Sequence, residues 1–582
     1  MTVTDPSRPT GGHLVAEVLY RHGVRSLFAL AGGHISPVLV EAKRRGIRVI
    51  DTRQEQTAAF AADATARLTG VGAAVVTAGP GVTNTLTALT NAKMARSPML
   101  LMGGATATVL RGRGSLQDID QMAVIRPHVK AAERVSRVAD LVEVLERSLR
   151  TAREGVPGPV FVELPLDVLY GEELVRETMG VATPPPAGAP LRRRLEHWYL
   201  TRHANQVFAV GGATPNNPVH LSRVHPSARA VSRAAALLAR AERPVLVLGS
   251  QGCEQAAVAG ELADALRALD VPVFLAGMAR GLLGTNAARQ VRHQRKEALR
   301  EADLVLLCGV PMDFRLDYGR HISGRATIVS VNRDARELHK NRRSTMGVVC
   351  DADLFVRALA AAGATARCAP WAARLAERDA ARDAAIAQEA AAALPPVNPL
   401  ALCRDVDALL TERSTIVADG GDFVGTASYV VRPRAPMRWL DPGVFGTLGV
   451  GAGFAIASKL HRPDDDVWLL WGDGAAGYGA VELDTFVRHN LPIISVVGND
   501  GAWTQIARGQ VPMLGDAVGT QLGRTAFHEL AESLGARGLL LDDPDQISST
   551  LRTARDTARN GQAVLVNAMI GVGEFRKGSL SM

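Results

Sequence analysis

Short apolar runs of strand length alternate with helical stretches along most of the chain. Between residues 13 and about 180 these runs are SLFALAGG, RVIDT, GAAVVTAG, PMLLMGG and PVFVELP. Such alternation is typical of a doubly wound α/β domain with a parallel sheet. The pattern returns twice, first as PVLVLGS, PVFLAG, DLVLLCG and TIVSVN, then as TIVADGGD, VWLLWGDG, IISVVGND and AVLVNAMI. The sequence therefore predicts three doubly wound parallel-sheet domains.

Breaks in this pattern set the predicted domain boundaries. The stretch VATPPPAGAP is rich in Pro and Gly, which is typical of a linker. An Ala-rich, charged segment before PPVNP predicts a connecting helix. We predict a first domain at 10–180, a linker at 181–227, a central domain at 228–365, a connecting helix at 366–395, a third domain at 396–575 and a tail at 576–582.

Composition narrows the classes of function. The chain has 582 residues, of which 47% are hydrophobic and 21% charged, as in ordinary globular proteins. The apolar runs are too short to span a membrane, and the first residues lack the layout of a signal peptide. Five cysteines without CxxC spacing predict neither a zinc site nor a disulfide framework. We expect a cytoplasmic protein that binds no membrane.

Charge argues against nucleic acid as a partner. The net charge is +8, the arginines are scattered and only 4% of the residues are aromatic. A nucleic-acid-binding protein usually concentrates basic residues on one face. This charge suits a small polyanionic molecule better.

Two acidic turns carry the strongest chemistry in the sequence. GDG (472–474) and GND (498–500) each follow an apolar run, and 27 positions separate Asp473 from Asp500. This distance is about one βαβ step, so both side chains can meet at the carboxyl edge of a sheet. Carboxylate oxygens favour Mg²⁺, which borrows further oxygens from a phosphate. Each turn taken alone is more often an ordinary loop.

Together, these turns resemble the cofactor motif of the thiamine-diphosphate-dependent acetolactate synthase superfamily. The resemblance implies that Asp473 and Asp500 bind Mg²⁺ through their side chains and that Ala502 does so through its carbonyl. The family usually has Asn at the position of Asp500. Gly472, Gly474, Ala475 and Trp503 would also contact the cofactor.

The family's other motifs are also present. Glu55, in VIDTRQEQTAAF, matches the acid beside the aminopyrimidine ring that activates the cofactor by proton transfer. TAGPGVTNTLTAL (77–89) resembles the companion motif. Leu448 matches the apolar wedge that bends the cofactor. Further cofactor contacts fall on Pro80, Asn84, Gly421, Asp422 and Phe423. Each feature has a plainer interpretation, such as a solvated Glu55 in a first helical turn or a glycine-rich helix start around Leu448.

Longer segments, among them RGSLQDIDQMA, DFRLDYGR and EHWYLTRHANQVF, resemble the 2-hydroxyacyl-CoA lyase branch of the superfamily. That branch implies cleavage of a 2-hydroxyacyl-CoA to formyl-CoA and an aldehyde or ketone, or the reverse carboligation. His34 and Gln117 are the candidates for proton handling, although His34 could equally be a loop or helix-cap residue. Candidate substrate contacts are Trp503, Gln505, Arg576 and Lys577; the plainer interpretations are a core tryptophan and a solvated tail.

Several alternatives remain open at this point. An acetolactate synthase-like carboligase or a decarboxylase would act on a free 2-keto acid, and a non-catalytic protein could keep the fold. The central domain could bind FAD, ADP or nothing. In the family, the cofactor lies between the first domain of one subunit and the third domain of another. The resemblance therefore implies a homodimer or homotetramer.

Overall fold

The computed structural model describes residues 10–209, 212, 214–219, 221–254 and 256–576. Within it, the chain forms three parallel sheets, which confirms the predicted fold class. Contacts divide the chain into two compact units. The first unit extends to Leu221 and includes Val444–Thr447, and it contains the first sheet. The second unit, Ser222–Gly443 and the chain from Leu448 onward, contains the other two sheets.

The first sheet has six strands in the order β2-β1-β3-β4-β6-β5. Its strands are β1 (Ser26–Ala29), β2 (Arg48–Asp51), β3 (Gly72–Val76), β4 (Met99–Ala105), β5 (Ala131–Arg134) and β6 (Val160–Pro165). Its helices are α1 (Gly11–Arg21), α2 (Ser36–Arg45), α3 (Glu55–Thr69), α4 (Pro80–Thr83), α5 (Leu86–Ala95), α6 (Gln121–Ile125), α7 (Leu141–Arg153), α8 (Leu166–Leu169) and α9 (Glu172–Thr178). The segment interpreted as a linker contains a further helix, α10 (Leu191–Val207).

The second sheet has five strands in the order β11-β10-β9-β7-β8. They are β7 (Pro244–Leu248), β8 (Val273–Leu275), β9 (Leu304–Cys308), β10 (Thr327–Asn332) and β11 (Met346–Val349). The helices of this region are α11 (Ala228–Arg240), α12 (Ala259–Leu269), α13 (Arg295–Glu301) and α14 (Ala352–Ala361). The Ala-rich segment that follows is the long helix α15 (Ala369–Ala391).

The third sheet has six strands in the order β13-β12-β14-β15-β17-β16. They are β12 (Ser414–Asp419), β13 (Trp439–Leu440), β14 (Asp466–Gly472), β15 (Ile494–Asn499), β16 (Arg537–Leu541) and β17 (Val564–Met569). The helices are α16 (Pro399–Leu409), α17 (Asp422–Val430), α18 (Gly451–His461), α19 (Asp473–Gly479), α20 (Leu483–Arg488), α21 (Thr504–Leu514), α22 (Phe527–Ser533) and α23 (Ile547–Arg559).

The strand register explains why the two acidic turns meet. β14 and β15 are parallel neighbours, and Gly472 pairs with Gly498 at their carboxyl ends. Every residue of both strands is buried, as expected for the centre of a parallel sheet with both faces covered. The chain leaves the two strands side by side, so Asp473 and Asp500 lie at one edge. Among the described residues, no helix is both long enough and apolar enough to cross a membrane.

Candidate active site

The carboxylates of Asp473 and Asp500 converge on one backbone amide. The Ala502 N–H donates to Asp473 Oδ2 and to Asp500 Oδ1, both at 3.2 Å. Asp473 also accepts from the Gly501 N–H at 2.8 Å, and Asp500 accepts from the Thr504 hydroxyl at 2.6 Å. The GDG and GND turns are therefore brought together, as the sequence predicts.

Electrostatics at this edge favour a cation. Burial, followed by repulsion from Asp500, raises the pKa of Asp473 to about 6. Burial also raises the pKa of Asp500. Two neighbouring buried carboxylates repel each other, and a divalent cation would relieve that cost. No cluster of three or more His, Cys, Asp or Glu side chains suited to a metal occurs in the described part of the chain. A cation here would therefore also need carbonyl and ligand oxygens, which fits Mg²⁺ held partly by a diphosphate.

Glycines allow close packing around the acidic turns. A Cβ at Gly474 would lie 2.3 Å from the Trp503 ring, so only glycine lets this half-buried tryptophan sit against the turn. The Phe423 ring packs on Gly498 in the same way, within 2.4 Å of where a Cβ would be. Phe423 is 4% exposed, so its side chain belongs to the core. Any cofactor contact of Phe423 would be through its backbone.

The segment before α17 lies at the same sheet edge, after β12. Gly421 is the residue that precedes the helix, and the Asp422 side chain pairs with Arg508 at 3.1 Å. Arg508 also donates to the Gly573 carbonyl, so it ties α21 to the chain's last described segment. Ala475, on α19, is buried, and Leu448 is half-buried. The first backbone amides of a helix point along its axis, so the start of α17 presents donors suited to a phosphate.

The first unit contains a separate group of polar residues. Glu55 begins α3, is 7% exposed and accepts a hydrogen bond from Asn84 Nδ2 at 3.0 Å. Asn84 directly follows α4, whose first residue is Pro80. The buried acid and the companion motif are thus joined by a direct hydrogen bond.

His34 and Gln117 are linked through a threonine. His34 Nδ1 lies 3.0 Å from Thr77 Oγ1, and the Thr77 hydroxyl donates to Gln117 Oε1 at 3.4 Å. Burial lowers the pKa of His34, so the imidazole is neutral at neutral pH and can accept a proton. Gln117 has a left-handed backbone, with φ of 63°, and its carbonyl would lie 2.7 Å from a Cβ at Gly79.

Some of the residues that organise the site were not predicted from the sequence. Thr77 lies inside the motif TAGPGVTNTLTAL, in which the sequence singled out only the GPG turn with Pro80, and Asn84. Gln121 accepts from the Gly79 N–H at 3.2 Å and donates to the Gly104 carbonyl at 2.9 Å, which fixes the turn before α4. Arg508 and Thr504 follow the GND turn at helical spacing, the only sequence feature that could have indicated them. Lys577, a predicted substrate contact, lies outside the described residues.

Comparison with known proteins identifies the family. Three protein-family models of thiamine pyrophosphate (TPP) enzymes match the chain. They describe the N-terminal TPP binding domain, matched over residues 9–124, the central domain, over 231–359, and the C-terminal TPP binding domain, over 419–568. The chain belongs to the thiamine pyrophosphate enzyme family, which confirms the predicted resemblance and the thiamine diphosphate cofactor.

Relatives cover nearly the whole chain. The human protein named 2-hydroxyacyl-CoA lyase 2 is 48% identical over 584 residues, which are 98% of this chain and 92% of the relative. The zebrafish (Danio rerio) protein of the same name is 46% identical over 586 residues, 98% of this chain and 93% of its own. A Mycobacterium bovis protein named probable acetolactate synthase is 33% identical over 549 residues, 93% of each chain.

Proposed function

We propose that this protein is a thiamine-diphosphate- and Mg²⁺-dependent lyase that cleaves a 2-hydroxyacyl-CoA to formyl-CoA and an aldehyde or ketone, reversibly. The observation that carries this proposal is the 46–48% identity over 98% of the chain to proteins named 2-hydroxyacyl-CoA lyase 2. Identity to the probable acetolactate synthase is only 33%.

The residues at the two sites fit the cofactor. Bound thiamine diphosphate would supply a nucleophilic carbon and accept the electron pair of the broken C–C bond. The side chains of Asp473 and Asp500 and the carbonyl of Ala502 would hold Mg²⁺, which neutralises the diphosphate. Glu55, buried and fixed by Asn84, would exchange a proton with the aminopyrimidine ring.

The lyase reaction requires movement of one proton. The 2-hydroxyl group must lose a proton as it becomes the carbonyl of the aldehyde or ketone, and the formyl carbon must gain one. His34 is neutral and half-buried, so it can accept the hydroxyl proton and return it. Thr77 and Gln117 would orient its ring through the hydrogen bonds described above.

Substrate contacts are proposed on the segment after the metal turn. Trp503 precedes α21 and Gln505 lies in its first turn. Arg576 Nη2 lies 3.4 Å from Gln505 Oε1, which brings the start of the tail to the same place. Lys577 follows directly in the sequence.

An acetolactate synthase-like reaction on a free 2-keto acid is the second candidate, because the mycobacterial relative carries that name. One comparison separates the two. Purified enzyme with thiamine diphosphate and Mg²⁺ receives either a 2-hydroxyacyl-CoA or pyruvate. We expect formyl-CoA from the first and little CO2 from the second. Release of CO2 from pyruvate without any formyl-CoA would reject the lyase proposal.

Assembly and location are part of the same proposal. We propose a cytoplasmic homodimer or homotetramer, on the strength of the family's shared-cofactor arrangement. Light scattering together with an activity assay tests the assembly across enzyme concentrations. Full activity of a monomer would contradict it. The absorbance spectrum and nucleotide content of the purified enzyme would show whether the central domain binds FAD, ADP or nothing.

A further inference from the structure

A basic cleft of about 520 Å³ lies within the second unit, away from the acidic turns. It is lined by the chain after β8, the start of α13 and the end of α17. Among the residues that the structure describes, six arginines and one lysine line the cleft, with a single carboxylate, that of Glu297. Pockets of this size accommodate small organic ligands. The surplus of positive charge indicates an anionic one.

Some of these cations are already neutralised by aspartates behind the wall. The pairs are Arg292 with Asp383, Arg315 with Asp313 and Arg432 with Asp407. Arg295 is different. Its Nη2 donates to the Arg315 carbonyl at 2.9 Å, and among the described residues it has no carboxylate partner. Burial, followed by repulsion from Arg315, lowers the pKa of the Arg295 guanidinium. Desolvation of a cation is costly when its one nearby carboxylate, here Asp313, is already paired with another arginine, Arg315, and an anionic ligand would offset that cost.

A buried histidine also lacks one partner. His293 is 3% exposed, and its Nε2 lies 2.9 Å from Asp383 Oδ1. Its Nδ1 is buried and has no hydrogen-bond partner among the described residues. Buried polar atoms nearly always have partners, and this nitrogen, which has almost no exposed surface, is an exception in the wall of the cleft.

An aromatic ring accompanies the positive charge. Tyr429 is 43% exposed and stacks on His293, with 6.3 Å between ring centroids. The Arg576 guanidinium lies 5.8 Å from the Tyr429 centroid. A bare phosphate would use neither the ring nor the length of the cleft. A nucleotide uses both, because its base can stack while its phosphates meet the arginines.

One residue, Arg576, links the cleft to the candidate active site. Arg576 lines the cleft and also contacts Gln505. A Cβ at Gly425 would lie 2.8 Å from Arg576 Cζ, so the glycine lets the arginine lie against α17. Gln505 is three residues beyond Ala502. A ligand held in the cleft by its phosphates could therefore extend toward the metal turn.

We propose that this cleft binds the nucleotide and phosphates of the coenzyme A portion of the substrate. The proposal rests on the proposed function, since it assumes that the substrate is a CoA thioester. A separate nucleotide such as ADP offers the same chemistry, so the test must distinguish the two sources.

Binding to the enzyme loaded with thiamine diphosphate and Mg²⁺ gives the first test. Calorimetry measures the binding of coenzyme A, pantetheine and ADP to wild type, to Arg295→Gln and to the control Arg325→Gln. Arg325 is an exposed arginine of the same domain and lies outside the cleft. We expect Arg295→Gln to weaken coenzyme A binding about 10- to 100-fold, as for a lost charge-assisted hydrogen bond. Pantetheine binding to Arg295→Gln should match that of wild type, and Arg325→Gln should bind all three ligands as wild type does. Should Arg295→Gln fail to fold, Lys296→Gln removes an exposed cleft cation instead.

Kinetics separates this proposal from the proposed function. In Arg295→Gln, KM for a 2-hydroxyacyl-CoA should rise while kcat is kept, and a 2-hydroxyacyl-pantetheine thioester should react as in wild type. If Arg295→Gln loses ADP binding but keeps both its affinity for coenzyme A and its KM, the proposal is overturned in favour of a separate nucleotide in the cleft. Unchanged coenzyme A affinity in both cleft variants would also overturn it. If no lyase activity is found but Arg295 still controls coenzyme A binding, the proposed function fails and the cleft assignment stands.

Discussion

The first and third sheets share one topology but present different chemistry. Counted from the first strand of each domain, both follow the order 2-1-3-4-6-5, and all of their strand pairings are parallel. In both, the polar residues follow the carboxyl ends of strands. The backbone plan is therefore common to the two domains. The loops determine what each one does.

The contrast lies in the charges. At the candidate site of the first domain one buried carboxylate, Glu55, accepts a hydrogen bond from the neutral Asn84, and the segment after β3 adds Thr77 with its partner Gln117. In the third domain four aspartates follow or end neighbouring strands: Asp419, Asp422, Asp473 and Asp500. A single acid among neutral partners suits proton transfer. Clustered aspartates suit a cation and the phosphates that it binds.

The largest effect should come from removing the cation site. We expect Asp473→Ala to abolish Mg²⁺-dependent binding of thiamine diphosphate, a loss of more than about 100-fold, because even residues that only support a metal ligand typically contribute about 10- to 100-fold. Asp500→Asn is the matched control and should bind well, since Asn is usual there in the family. Calorimetric titration with thiamine diphosphate, with and without Mg²⁺, measures both. Wild-type affinity in Asp473→Ala would mean that the two domains do not divide the chemistry in this way.

The next effect concerns the first domain. Glu55→Gln keeps the size of the side chain and the contact with Asn84 but removes the transferable proton. Cofactor binding should persist, while turnover should fall about 10²–10⁴-fold. Exchange of the thiazolium C2 proton for deuterium, at saturating thiamine diphosphate, reports activation directly. Glu173→Gln, an exposed glutamate of the same domain, should match wild type. Equal exchange rates in Glu55→Gln and wild type would remove Glu55 from the mechanism.

The strands that sequence patterns predict are mainly those inside the sheets. β3, β4, β14 and β15 are buried throughout and stand out as continuous apolar runs. Four strands escape prediction: β5, β11, β13 and β16, and each lies at a sheet edge. β5 is only partly buried along its length, and β13 has two residues. These edge strands are short and, apart from the buried β13, partly exposed, so they lack the continuous apolar runs that mark the central strands.

Sequence patterns also predict only some of the residues of the candidate active site. Acidic residues in glycine-rich turns, such as Asp473, are visible because their spacing has a physical meaning. Thr77 and Gln121 act by joining segments that are distant in sequence, 43 residues apart for Thr77 and His34. Ordinary polar residues of this kind become recognisable only once the fold brings their partners together.

Asp419, one of the four aspartates of the third domain, is buried and held by hydrogen bonds. β1 ends at Ala29, whereas β12, its counterpart, ends at Asp419, which is fully buried. The Asp419 carboxyl group accepts from the Gly451 N–H at 2.8 Å and from the Gly449 N–H and Trp471 Nε1 at 3.2 Å. It thereby ties the start of α18 to β14, just before the acidic turn. Burial raises the pKa of Asp419 to about 7.

The smallest expected effect is on stability, and it depends on pH. The Asp419 carboxyl has a pKa of about 7 in the folded protein and an ordinary pKa of 3.8 when exposed. The stability that its proton contributes is therefore full below about pH 4 and is lost as the pH rises through 7. Asp419→Asn cannot ionise, so it lacks this decline. It should be about 1–3 kcal/mol less stable than wild type at pH 5, and the gap in Tm should narrow by pH 8. Thermal unfolding of the cofactor-free proteins at one scan rate measures this, with the exposed Asp545→Asn as control. A Tm gap that stays constant from pH 5 to pH 8 would show that Asp419 does not titrate in this range.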